Sequence, residues 1–155
     1  MIVLVMVIVA AVLLAIDLIT KAVFVGDGFT LIPKVLSIQP IRNYGAAFGI
    51  LQNARIFLII ITFILLVIGI IFYIKFKQGK KSKFYNIGCG FVLAGALGNL
   101  FDRLFLGYVR DFISFDFINF PVLNLADAFL NVGMVLLAIY FIFMLKGKKS
   151  EKNQS

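Results

Sequence analysis

The chain of 155 residues is 63% hydrophobic and 14% charged, and its mean hydropathy is +1.09. A soluble domain usually carries about a quarter charged residues, so this composition excludes an ordinary soluble globular protein and indicates a protein that crosses a membrane several times. The net charge of +8 does not indicate a nucleic-acid partner, because the lysines and arginines gather at the ends of apolar segments, where they act as topology signals.

Four apolar segments reach or approach the roughly 20 residues that a helix needs to cross the hydrocarbon core. They cover residues 2–24, 56–73, 84–106 and 123–144. We therefore predict an all-α membrane protein with four transmembrane helices, forming a single membrane-embedded domain over residues 1–155. The second segment contains almost no polar residue and is expected to be scaffold that faces lipid over much of its surface.

Two clusters of lysines predict the orientation of these segments. One fills the loop between the second and third segments, and the other fills the C-terminal tail. By the positive-inside bias both clusters belong in the cytoplasm, and with four spans the N-terminus lies there too. Residues 26–55 and 107–122 are then extracytoplasmic. The clustered lysines are Lys75, Lys77, Lys80, Lys81 and Lys83 in the loop and Lys146, Lys148, Lys149 and Lys152 in the tail.

In the first segment, Asp17 and Lys21 stand four residues apart near the predicted outer end. This spacing places them on one helical face, with the acid before the base, and predicts an ion pair. The pair either neutralises two charges near the interface or acts as a fixed support under an active site.

Residues 25–53 mix glycines and prolines with short apolar pieces, which predicts short strands of a small sheet on the outer surface rather than helices. In the stretch 42–49, with sequence RNYGAAFG, Asn43 could hydrogen-bond an extended peptide. The small residues of this stretch would let another backbone approach closely. An ordinary glycine-rich turn is the alternative interpretation.

The third segment carries a small-residue face and an adjoining polar face. Gly90, Ala94 and Gly98 recur every fourth residue, which favours close helix packing. Polar groups in the last turns of a membrane helix need mutual partners or a wet cavity, so a structural cluster and a functional site are both open. The residues of the polar face and its border are Gly95, Asn99, Asp102 and Arg103.

The chain between the third and fourth segments is rich in phenylalanine, which predicts an aromatic loop at the level of the lipid headgroups. Asn124, Asp127 and Asn131 then fall at i, i+3 and i+7 and predict an inward-facing polar stripe on the fourth helix. Asp127 lies in the first turn, where free N–H groups and the helix dipole favour a carboxylate. A simple helix-start acid is therefore the alternative for Asp127.

Asp111, in the aromatic loop, and Asp127 place two carboxylates at one interface of a chain without histidine. An aspartate pair that shares a proton can activate water for attack on a peptide bond, so the two acids predict an intramembrane aspartic peptidase. The histidine-free sequence excludes Ser-His and Cys-His pairs and histidine-based zinc sites. We expect neither a metal nor a cofactor.

Two other classes of protein were weighed against this prediction. A proton- or ion-coupled transporter would place its acids near mid-span, whereas these acids cluster at one interface. A non-enzymatic assembly or anchor protein would use the aromatic loop as a contact, but it leaves the convergence of polar groups on two aspartates unexplained.

Five motifs together resemble those of the bacterial lipoprotein signal peptidases, the signal peptidase II family. Each motif is short, but all five occur in the order of that family and cover essentially the whole chain. They are DLITK at 17–21, NYGAAFG at 43–49, AGALGNLFDR at 94–103, VRDF at 109–112 and NLAD at 124–127.

The resemblance implies an aspartic endopeptidase of the bacterial cytoplasmic membrane that removes signal peptides from prolipoproteins, cutting before a cysteine modified with diacylglycerol. It implies a small extracytoplasmic β-cradle within residues 25–55, contact with membrane lipid and sensitivity to globomycin, and we expect a monomer. It places the catalytic role on Asp111 and Asp127. The residues that it implies shape or support the site are Asp17, Lys21, Asn43, Gly45, Asn99, Asp102, Arg103 and Asn124.

The two aspartates are expected to hold one proton between them, because two close carboxylates do not easily both ionise. Asp127, at a helix start, is expected to be the anion, whereas Asp111, in an aromatic loop facing lipid, is expected to hold the proton. In an extended segment the side chain of Arg110 would point away from that of Asp111 and would not offset this difference.

Overall fold

The structure, a computed structural model, describes residues 2–46, 50–75 and 82–152, and over these residues it contains four helices and one sheet. All four helices are long and apolar enough to cross a membrane, which confirms the four predicted spans. The fourth helix continues beyond the predicted end at residue 144. The helices are α1 (Ile2–Val23), α2 (Arg55–Lys75), α3 (Lys83–Phe105) and α4 (Leu125–Lys152).

Some sequence predictions fall on parts of the chain outside this description. Residues 47–49 of the glycine-rich motif lie outside the described residues, as do Lys77, Lys80 and Lys81 of the first lysine cluster. In the tail, the side chains of Lys148, Lys149 and Lys152 lie outside it as well.

The sheet has three antiparallel strands in the order β1-β2-β3: β1 (Phe29–Ile32), β2 (Leu36–Asn43) and β3 (Val109–Phe115). The short strands predicted within residues 25–53 are therefore confirmed. Pro40 lies where the β2–β3 register shifts, between Ile38 and Ile41. An irregularity of this kind suits proline, which has no N–H to donate to a ladder.

Strand β3 was not predicted, because its sequence was interpreted as an aromatic loop. It forms by pairing with β2, with Asn43 opposite Val109 and Leu36 opposite Phe115. Partners more than 60 residues apart leave no local signal in β3 itself. The expectation of headgroup-level aromatic residues is also wrong for Phe112, which is 2% exposed and has its ring centroid 4.9 Å from that of Phe24.

Helix α3 lies between α1 and α4, and its small residues allow both neighbours to approach. Gly90 faces Val9 of α1, whereas Gly95 faces the backbone of α4 at Ala126 and Leu130. Helix α2 contacts α3 near both ends, through Arg55 and Arg103 and through Tyr73 and Asn86. Leu58 of α2 is buried, and most of the rest of this helix is exposed. This confirms that the predicted small-residue face of α3 packs closely and that α2 faces outward.

The ends of the helices divide the molecule into a polar end and a lysine end. The C-termini of α1 and α3 meet the N-termini of α2 and α4 beside the sheet. Lys75 and Lys83, at the other ends of α2 and α3, lie far from the sheet along the helix axes. The predicted acids and the described loop lysines are thus at opposite ends of the bundle.

We predict that Gly95→Ala destabilises the protein, because a Cβ at this position would overlap the Ala126 carbonyl oxygen and lie 2.9 Å from the Leu130 amide nitrogen. Overpacking against a helix backbone costs about 1–3 kcal/mol, which thermal unfolding in detergent would reveal as a lower midpoint. Gly69→Ala in α2 is the matched control, because a Cβ there meets nothing within 4 Å. Equal midpoints for the two variants would contradict this account of the α3–α4 contact.

Candidate active site

The start of α4 is held by a reciprocal pair of hydrogen bonds. The side-chain oxygen of Asn124, the residue before the helix, accepts from the Asp127 amide at 3.1 Å. Oδ2 of Asp127 in turn accepts from the Asn124 amide at 3.2 Å. This is a capping box, which satisfies two backbone donors that a helix start leaves free. Asp127 therefore lies in the first turn, as the sequence predicts, and is half-buried.

Asp111 lies in the middle part of β3 and is 2% exposed. Its Oδ2 accepts from Asn43 Nδ2 at 2.8 Å, and its Oδ1 accepts from Asn124 Nδ2 at 2.6 Å. Asn43 pairs with Val109 in the ladder and so lies diagonally across from Asp111, on the same face of the sheet. The expectation that Asp111 faces lipid is wrong, because two amides and the β2–β3 pairing enclose it.

Two amides connect the carboxylates to each other. Asn124 Nδ2 donates to Asp111 and also to Asn99 Oδ1, the latter at 3.1 Å. Asn99 Nδ2 donates to Oδ1 of Asp127 at 2.7 Å. The chain of hydrogen bonds thus runs from Asp111 of β3 through Asn124, just before α4, and Asn99 of α3 to Asp127 of α4.

Lys21 lies beneath this chain of amides and is completely buried. Its ammonium is 2.9 Å from Asp17 Oδ2, 3.0 Å from Asn99 Oδ1 and 3.6 Å from Asp102 Oδ2. The other oxygen of Asp17 accepts from the Ala126 amide at 2.9 Å. The predicted ion pair is therefore confirmed, and its contacts extend to the polar residues of α3 and to the first turn of α4.

Arg103 connects α3 to the chain that follows β2. Its Nη2 donates to the Gly45 carbonyl at 3.0 Å, and its charge interacts with Asp127 and Asp111. The buried Gly45 in turn donates its amide to Asn43 Oδ1 at 2.9 Å, which orients the amide that binds Asp111. All ten residues singled out in the sequence as catalytic or supporting therefore belong to one connected cluster around the aspartates.

The side chain of Arg110 points away from that of Asp111, as the sequence predicts, but its ion pair of 2.7 Å with the buried Asp102 was not predicted. The prediction for Asn131 is wrong. It placed Asn131 on the inward stripe, whereas Asn131 is exposed. Ala126, Leu130, Gly133 and Leu137 of α4 contact α3 along one line, and Asn131 does not lie on it.

The environment of Asp111 changes its acidity. The pKa of Asp111 is raised from 3.8 to about 6, and burial is the largest cause. The negative charge of Asp127 also raises it, whereas the hydrogen bonds from Asn43 and Asn124 and the positive charge of Lys21 lower it. A buried carboxyl with a raised pKa beside a second carboxylate is the arrangement used for acid–base work near neutral pH.

Comparison with known proteins places this cluster in a family. The family model described as signal peptidase (SPase) II matches residues 9–143. A lipoprotein signal peptidase of Enterococcus faecalis is 45% identical over 128 residues, which cover 83% of this chain and 78% of that protein. A lipoprotein signal peptidase of Brevibacillus brevis is 42% identical over 147 residues, covering 92% of this chain and 96% of its own length.

Solved structures show the same fold. One bacterial membrane enzyme, determined at 2.3 Å resolution, superposes with a TM-score of 0.84 at 35% identity and covers 92% of this chain and 90% of its own. A second, at 1.9 Å resolution, gives a TM-score of 0.78 at 36% identity. The family match over most of the chain, together with these likenesses, shows that this membrane protein belongs to the signal peptidase II family of peptidases.

Proposed function

We propose that the chain is an aspartic endopeptidase in which Asp111 and Asp127 form the catalytic pair. The observation that carries this proposal is the pair's shared partner: Asn124 donates to Asp111 and exchanges two hydrogen bonds with Asp127. A residue bound to both carboxylates links the two side chains through its own hydrogen bonds, which supports their action as a pair.

Asp127 is the base in this mechanism. It acts as the anion, and both of its oxygens accept hydrogen bonds, from Asn99 and from the Asn124 amide. The anion takes a proton from a water molecule as the water attacks the scissile carbonyl. Asp111, whose pKa burial raises, carries the proton of the pair and donates a hydrogen bond to the carbonyl oxygen. Asp127 then returns its proton to the leaving amine.

Diacylglyceryl-modified prolipoproteins are the proposed substrates, with cleavage before the lipidated cysteine. Lipoprotein signal peptidase is the name of the related proteins, and a lipidated cut site matches the surroundings of the pair. The sheet beside Asp111 exposes Phe29 and Leu31, and the turn after β3 exposes Phe117. Such apolar surface at the level where helices end suits acyl chains, and globomycin is the proposed type of inhibitor.

We infer the orientation of the protein in the membrane from the positions of its lysines. We place the lysine end of the bundle in the cytoplasm, together with both termini, and the aspartates near the extracytoplasmic face of a bacterial cytoplasmic membrane. An exported substrate would then reach the pair from the side on which it is anchored. The protein would act as a monomer.

Replacing either aspartate should remove nearly all turnover. Asp111→Asn and Asp127→Asn should each lower kcat by roughly 10²- to 10⁴-fold, because one carboxyl cannot both accept and donate the proton. Cleavage of a diacylated prolipoprotein by the purified variants measures this. Asp27→Asn is the matched control, since Asp27 is exposed in the loop before β1. Wild-type turnover in either dyad variant would refute the catalytic assignment.

The dependence of activity on pH should report the proton on Asp111. Ionisation of Asp111 removes that proton as pH rises through about 6, so kcat/KM should fall on the alkaline side. The charged groups that face Asp111 are Asp127 of α4, Lys21 of α1 and Arg103 of α3.

A variant of Asn43 tests whether ionisation of Asp111 causes the fall of kcat/KM at high pH, the alkaline limb of the profile. Asn43→Ala removes a hydrogen bond that favours the Asp111 anion, so the pKa of Asp111 rises and the limb moves to higher pH. Ser37→Ala is the control, because the Ser37 hydroxyl on the same strand donates to Asp116 instead. A limb that stays in place in Asn43→Ala, or moves to lower pH, would contradict the role of Asp111.

A reporter fused after Ser155 should show cytoplasmic activity, because the lysine clusters place both termini inside. The same reporter inserted between Asp27 and Gly28, in the loop before β1, should show the extracytoplasmic signal. Reversed signals would overturn the proposed orientation and the access route for an exported substrate.

A further inference from the structure

The connection between α3 and β3 is short, and Asp102 of α3 forms hydrogen bonds along it. Helix α3 ends at Phe105 and β3 begins at Val109, with Gly107 at φ 88° in the turn. The backbone oxygen of Asp102 accepts from the amides of Leu106 and Gly107, at 2.8 and 3.2 Å. The side chain of Asp102 then reaches past the turn to the first residues of the strand.

The guanidinium of Arg110 binds the carboxylate of Asp102 through two hydrogen bonds, a contact that we call the fork. Its Nη2 donates to Asp102 Oδ1 at 2.7 Å, and its Nε donates to Oδ2 at 3.2 Å. Its backbone amide also donates to Oδ2, at 3.0 Å. Asp102 is completely buried, whereas the side chain of Arg110 is 20% exposed. A bidentate pair of this kind fixes orientation as well as distance, because the planar guanidinium matches the carboxylate.

Asp111 follows Arg110 directly and lies between two attachments of β3 to the helices. On one side is the fork to Asp102 of α3. On the other side, Phe112 and Ile113 donate their amides to the Leu123 carbonyl, at 3.0 and 2.8 Å, just before α4. The ladder with β2 holds Asp111 relative to the sheet. The polar contacts that hold this part of the sheet relative to α3 and α4 include these attachments, the Asn124–Asp111 hydrogen bond and the Arg103–Gly45 contact.

The position of Asp127 is set by the helices instead. Its carboxylate is bound by Asn99 of α3 and by the cap of α4. The distance between the two aspartates therefore depends on how the sheet is placed against the helices. The charges that act on Asp111 come from Asp127, Lys21 and Arg103, whereas the guanidinium of Arg110 points to Asp102.

We infer that Arg110 is a positioning residue for peptide cleavage: its two-pronged contact with Asp102 sets β3 against α3 and so aligns Asp111 with Asp127. This inference rests on the proposed function. It predicts that the shape of the arginine fork matters and that its positive charge alone does not suffice. A lysine cannot form two parallel hydrogen bonds to one carboxylate, although it keeps the charge.

The test compares Arg110→Gln and Arg110→Lys with wild type in the steady-state cleavage of a diacylated prolipoprotein by the purified enzyme. Both variants keep the backbone amide that binds Asp102, so the start of β3 retains one bond to α3. We expect kcat to fall by roughly ten- to a hundredfold in both, with KM unchanged, because a small misplacement of a catalytic group slows chemistry rather than binding.

Arg42→Gln is the matched control. Arg42 lies opposite Arg110 in the β2–β3 ladder, is exposed, and stacks over the Tyr108 ring with its guanidinium carbon 5.0 Å from the ring centroid. Arg42→Gln removes one positive charge from the same sheet, as Arg110→Gln does, and should leave kcat unchanged.

Two results would overturn the inference: a wild-type kcat in Arg110→Gln, or full recovery in Arg110→Lys, which would show that charge alone is sufficient. If Arg110→Gln does not fold, as judged by thermal unfolding, Arg110→Lys decides the question by itself. Asp111→Asn, measured in parallel, separates the two proposals. Turnover in Asp111→Asn rejects the aspartic mechanism, whereas an inactive Asp111→Asn beside an unaffected Arg110→Gln rejects only the role of Arg110.

Discussion

A lysine ammonium completely buried near the end of a membrane helix is the constraint around which this protein is built. An isolated charge in such a place is very unfavourable, so Lys21 needs partners with good geometry on several sides. It finds Asp17 on its own helix and Asn99 and Asp102 on α3. Because Asp17 also accepts from the Ala126 amide, the requirement to satisfy one cation places three helices relative to each other.

Close packing makes these polar contacts possible. Gly98 leaves room for the Asp17 carboxylate, and Gly95 lets the first turn of α4 lie directly against α3. Side chains as short as asparagine and aspartate can then meet across helices. The polar cluster therefore depends on the small-residue face of α3. The glycines let the neighbouring helices approach closely, and the amides then form specific hydrogen bonds between them.

The two aspartates have different surroundings, although they share Asn124. Asp111 is buried on a strand and receives two side-chain amides, whereas Asp127 is half-buried at a helix start and closes a capping box. Unequal environments separate the roles of two otherwise identical carboxyl groups. Asn99 and Asn124 connect the helix that carries Asp127 to the strand that carries Asp111, because their amides donate to the two carboxylates and Asn124 also donates to Asn99.

The sequence by itself determined the four spans, the short strands of residues 29–43, the Asp17–Lys21 pair and the position of Asp127 at a helix start. Each of these depends on near neighbours: apolar length, turn residues, an i, i+4 spacing or a helix boundary. Only the tertiary structure decided that residues 109–115 form a strand, that Arg110 binds Asp102, and that Asn131 faces outward. These features depend on pairing with β2, on the turn after α3 and on the line along which α4 meets α3, and local sequence carries no record of such distant contacts.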